Sequence, residues 1–163
     1  RERVCVDEVR RPGGERGELM GCLDLSEPVG AYTGDGRFLV YCRQIYNPTM
    51  WQAVSNDGGV TWDACSRGPF PGYAADMCRT AGGALLVSHR FPNHTINLSL
   101  DNGRTWDAGT GADWPLEGAG KLIEVAPDIV LFIYRDDRIQ QMRAQYIKVT
   151  PQGLVKLPRN WQA

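Results

Sequence analysis

The chain has 163 residues, a formal net charge of −1 and 42% hydrophobic residues, enough apolar content for a packed core. The near-neutral balance gives no electrostatic case for nucleic acid, and no apolar run reaches bilayer-spanning length. The chain lacks an initiator Met and a recognisable leader, so it reads as a mature form or an excised piece.

In chain order, 3–9 read as a strand, 10–17 as a turn through Pro12, Gly13 and Gly14, and 18–25 as a returning strand. Pro28 to Thr33 form a candidate innermost strand, closed by Gly34-Asp35-Gly36. Phe38-Leu39-Val40-Tyr41-Cys42-Arg43 is a short apolar run suited to a strand buried on both faces. After a loop at Tyr46-Asn47-Pro48, Met50 to Val54 read as a third strand and Thr61 to Cys65 as the start of a fourth. The plan then repeats. Ala74 to Arg79, Leu85 to Arg90 and Thr95 to Leu100 read as three strands, followed by Lys121 to Val125, Val130 to Arg135, 142–149 and Leu154 to Leu157. No stretch of ten residues carries a helical period, so the chain is expected to be all-β.

Between third and fourth strands stands Ser55-Asn56-Asp57-Gly58-Gly59-Val60-Thr61-Trp62, and it returns 44 residues later as Ser99-Leu100-Asp101-Asn102-Gly103-Arg104-Thr105-Trp106. The Ser and Asp side chains can bind turn amides, and the Gly permits a positive φ. The Trp can then pack between neighbouring sheets. A period in the forties is the size of one four-stranded propeller blade. A third turn keeps Thr150 and Gly153 but lacks the Asp and Trp. A calcium loop is the rival reading, and the twelve-residue pattern with its terminal Glu is not met.

The octapeptide resembles the Asp box, or BNR repeat, of sialidases and related β-propellers. That resemblance implies a six-bladed propeller of four-stranded antiparallel blades, of which about three and a half are present. The expected division of this single partial propeller is an outer hairpin at 1–27 and blades at 28–66, 67–110 and 111–163. Either the chain is part of a longer propeller or two chains complete one ring, and open sheet edges invite self-association.

The second strands align as FLVYCR, LLVSHR and VLFIYR, ending in Arg43, Arg90 and Arg135, spaced 47 and 45 apart. Antiparallel order puts these ends opposite the octapeptide turns. Arginine's planar fork matches a carboxylate with two parallel hydrogen bonds. Sialidases hold sialic acid through arginines, so the resemblance implies an acidic sugar at that end. The competing reading is an arginine paired with a neighbouring blade's acid and duplicated with the blade. Sialidases also use a Tyr nucleophile with a Glu, and an Asp acid/base. The candidate catalytic acid is Asp76, at the start of an inner strand, with Tyr73 beside it. Tyr46 and Trp114 are candidate substrate contacts, and His94, Asp113, Glu117, Asp136 and Asp137 share the same end. The arginine-Ile-Pro element of the first sialidase blade is absent. His89, on an apolar strand, reads as a core residue.

The five cysteines show an odd count and no CxxC pair, which argues for buried free thiols and against a disulfide framework or zinc. The triplets at Asn93 and Asn97 fit a glycosylation sequon, and the compartment stays open. No metal and no cofactor are implied. Three readings remain: part of a sialidase-like glycoside hydrolase, a non-catalytic propeller that binds glycan or protein, or a bare scaffold.

Overall fold

The computed structural model describes residues 25–44, 48–111, 120–136 and 139–161. They form twelve strands and, among the described residues, no helix. The first sheet holds β1 (Leu25–Tyr32), β2 (Phe38–Gln44), β3 (Thr49–Ser55) and β4 (Ser66–Pro71). The second holds β5 (Asp76–Arg79), β6 (Leu85–His89), β7 (Thr95–Ser99) and β8 (Thr110–Gly111). The third holds β9 (Gly120–Ala126), β10 (Ile129–Asp136), β11 (Gln141–Thr150) and β12 (Gly153–Lys156). In each sheet the strands pair in chain order and antiparallel, and the sheets do not close on one another. This is the architecture of a partial β-propeller.

Two apolar layers stack the sheets. Leu39, Tyr41 and Met50 of the first sheet pack with Phe70, Ala75, Leu85 and Val87, and Trp106 joins them. Leu86, Ile96 and Leu98 pack against Leu122, Val130, Phe132, Tyr134, Ile147 and Val149 of the third sheet. Successive residues of a strand point to opposite faces. Leu85 and Val87 therefore face one neighbour while Leu86 faces the other. That is why β6 is buried along its whole length, the polar Ser88 and His89 included.

Both octapeptide turns have one geometry. Ser55 Oγ accepts the Gly59 amide at 2.8 Å, and Ser99 Oγ accepts the Gly103 amide at 2.8 Å. Asp57 accepts the Thr61 amide at 2.9 Å and its hydroxyl at 2.6 Å, and Asp101 does the same for Thr105 at 2.8 and 2.6 Å. Gly58 and Asn102, at matching positions, have φ of 77° and 61°. These donors hold the Asp57 and Asp101 carboxyls at about 2, the Thr hydroxyls acting most strongly.

The same bonds correct one expectation. The fourth strand of the first sheet begins at Ser66, not in Thr61–Cys65. Thr61 is spent on Asp57, and the Asp63 amide donates to the Val54 carbonyl at 2.8 Å, so the turn extends through these residues. β4 then runs along the outer edge and carries Pro69 and Pro71, which suit an edge. A second correction concerns sulfur. Cys42 and Cys78 are free, and burial pushes both thiols up. Cys65, however, is in a disulfide whose partner lies outside the described residues. An odd count is compatible with one bridge, because parity limits only complete pairing.

Candidate functional site

The site is built from strand ends. Arg43 is opposite Met50 near the β2–β3 connection, and the Ser55 turn lies at the other end of β3. Arg135 is opposite Met142, and the Thr150–Gly153 turn closes the far end of β11. Arg90 follows His89, which is opposite Thr95. Within its own sheet, each arginine therefore sits at the end away from the turn between third and fourth strands.

The connector from β4 to β5 arrives at this same end. Its Tyr73 ring lies under the Arg43 guanidinium, 5.4 Å from carbon to ring centre. The Tyr73 carbonyl accepts the Arg90 amide at 3.0 Å. The Tyr73 ring also meets Phe91 edge to face at 5.9 Å. One residue thus joins the ends of β2 and β6. Arg43 Nε pairs with Glu27 Oε2 at 2.7 Å. Arg135 donates to Gln140 Oε1 at 2.6 Å.

Asp76 opens β5 and is largely covered. Its Oδ1 accepts from Lys121 Nζ at 2.6 Å, and its Oδ2 accepts the Leu122 amide at 2.8 Å. Both oxygens therefore face the first strand of the third sheet. Tyr46, Asp113, Trp114, Glu117 and Asp137 lie outside the described residues. Asp136 is fully buried and pairs with Arg143 at 2.9 Å. His94 is buried against Phe132 and Tyr134. His89 is buried, stacked on Phe70, and bound through its ring nitrogens to the Phe91 carbonyl and Asn97 Oδ1. Burial lowers its pKa, so the neutral ring is favoured.

Glu27 was not among the expected site residues. It precedes Pro28 in β1, where the pairing with β2 shifts register between Ser26 and Val29. Its φ of 52° is left-handed, a conformation rare for a residue with a side chain. A bulge of this kind re-aims a side chain and is frequent beside functional sites. The signal was an acid at the head of an inner strand, as with Asp76, hidden by the one extra residue.

Comparison with known proteins places this geometry among propellers. No protein-family model matches the chain. The Hadza microbial sialidase Hz136 matches in structure with a TM-score of 0.60 at 15% identity, over 82% of this chain and 33% of that one. A mutant of the GH43 protein BlXynB from Bacillus licheniformis matches with a TM-score of 0.53 at 10% identity, over 83% of this chain and 30% of the other. In sequence, sortilin of Danio rerio is 32% identical over 94 residues, which is 54% of this chain and 11% of sortilin. The chain thus spans about a tenth of that relative and a third of each structural neighbour. The structural likenesses establish the fold: all-β, with propeller-type sheets.

Proposed function

We propose that the chain is part of a sialidase-like glycoside hydrolase that binds an acidic sugar at the strand ends bearing Arg43, Arg90 and Arg135. In this reading the Ser-x-Asp-x-Gly-x-Thr-Trp turns are Asp boxes that serve as structural corners. The observation that carries it is the recurrence of an arginine at the same strand end in three consecutive sheets. Two structural neighbours described as a sialidase and a GH43 protein support a carbohydrate ligand. Tyr46 and Trp114 are assigned to the same ligand as aromatic contacts, and Asp76 to acid/base chemistry.

A second reading, a propeller that binds glycan without cleaving it, is favoured by one observation. Both Asp76 oxygens are engaged by the neighbouring sheet, whereas an acid/base needs an oxygen within reach of the reacting proton. Self-association through open sheet edges belongs to either reading.

Turnover of a fluorogenic sialoside, measured beside Arg90→Ala and Arg135→Ala, tests the proposal. Loss of turnover in both variants supports the hydrolase. Saturable binding without turnover supports the binding module. Turnover untouched by either substitution removes the arginines from the site.

A further inference from the structure

Arg43 differs chemically from the place its repeat gives it. Its guanidinium is met by the Glu27 carboxylate at 2.7 Å, and the Tyr73 ring covers it at 5.4 Å. The protein itself supplies the acid that this arginine would otherwise take from a ligand. A ligand carboxylate brought here would compete with Glu27 and add a second negative charge beside it. What remains open to solvent is different. The Glu27 side chain is 44% exposed, and Phe91 is 37% exposed beside Tyr73.

A half-exposed carboxylate, fixed by an arginine, accepts two hydroxyl hydrogens through its two oxygens. The exposed Phe91 ring, joined to Glu27 through Arg43 and Tyr73, offers a flat apolar surface on the same strand ends. Together these match a neutral pyranose, which has hydroxyls at its rim and C–H groups on its face. The positive φ and the register shift at Glu27 accompany its placement against Arg43.

From these observations we infer that Glu27, Arg43, Tyr73 and Phe91 form a subsite for a neutral sugar unit. Glu27 accepts its hydroxyls, Arg43 holds Glu27 in place, Phe91 offers its exposed face to the ring, and Tyr73 backs Arg43 and Phe91. This rests on the carbohydrate reading above and refines it.

The test uses the 163-residue chain with two probes, a neutral methyl hexopyranoside and a methyl glycoside of a hexuronic acid. Binding is followed by saturation-transfer NMR and calorimetry. Glu27→Gln keeps the shape and removes the charge. It is expected to weaken the neutral probe about tenfold, the scale of one charge-assisted hydrogen bond, and to strengthen the acidic probe by releasing Arg43. Phe91→Ala should weaken the neutral probe while the variant still unfolds in a single cooperative transition. If wild type binds a sugar and neither variant alters the neutral probe, the subsite is overturned while the carbohydrate reading stands. If wild type binds neither probe, the carbohydrate reading falls and the subsite with it.

Discussion

The Thr80 hydroxyl donates to Asp128 Oδ1 at 2.6 Å, across the boundary between the second and third sheets. The Gly82 amide donates to the same oxygen at 3.1 Å, and the Ala81 amide donates to Glu124 Oε1 at 2.8 Å. Two acids of the β9–β10 hairpin thus take up donors of the β5–β6 turn. The approach depends on Gly82, since a Cβ there would overlap the Asp128 carboxylate. Gly82→Ala is expected to cost about 1–3 kcal/mol through this overlap and the loosened bonds. Urea unfolding measures it, and a change within about 0.5 kcal/mol would show the turn absorbs the methyl freely.

Trp106 packs on Tyr41 at 5.8 Å and on Phe70 at 5.5 Å, both across from its own sheet. Its removal opens the layer between the first two sheets. Trp106→Ala should lower stability by about 3–5 kcal/mol. Chemical denaturation decides, and a loss below about 1 kcal/mol would contradict a packing role.

The turn carboxyls give a pH dependence of fixed sign. Asp101 has its carboxyl held at about 2 rather than the usual 3.8, mainly by the Thr105 hydroxyl and amide. A lowered folded value means stabilisation that is complete above the unfolded value and fades as pH falls through about 2. Asp101→Ala should therefore be less stable than wild type at neutral pH. The gap should close toward about pH 2 in denaturation midpoints taken along a pH series. A gap constant across that range would refute the assignment. The exposed Asp57 turn is expected to behave alike.

Asp76 joins the second and third sheets through an exposed ammonium and a covered amide. Exposed ion pairs contribute about 0–1 kcal/mol, so the Leu122 amide should dominate. Asp76→Ala is expected to cost more than Lys121→Ala. A double-mutant cycle should give a coupling of about 0.5 kcal/mol or less between the two. Larger coupling would make the ion pair the main fastening.

Cys65 lies just before β4 and is bridged. Cys65→Ser should cost about 2–4 kcal/mol, the usual contribution of a disulfide in a small domain. Reductant should lower the melting temperature of wild type and leave that of the variant unchanged. Equal responses would show that the bridge does not hold the first sheet.

The fold was legible because two independent signals agreed. The apolar second strands Phe38–Arg43, Leu85–Arg90 and Val130–Arg135 recurred at blade spacing, and the Ser55 and Ser99 octapeptides supplied the corners. β2, expected to be buried on both faces, instead alternates buried and half-buried residues, and it is β6 that is covered on both. The fourth strand was harder to read, because Trp62 suits a strand while Thr61 and Asp63 are bound into the turn. The arginine positions followed from period and strand direction. Their partners did not, because Glu27 reaches Arg43 only through a bulge that shifts its register. Tyr73 stands in a connector with no period at all. Its role emerges only when two sheets stack and bring Arg43, Arg90 and Phe91 around it.

The prolines of β4 bear on how copies of this chain behave when crowded. Pro69 and Pro71 have no amide hydrogen, so the rim of the first sheet offers an incomplete template to a stray strand. β8, with two residues, offers almost none. Among the described outer edge strands, β12 is the one left unblunted, with Val155 exposed. The Leu157 amide donates inward to Tyr146, so the neighbouring Lys156 amide faces out, and a proline at Lys156 would cap this edge.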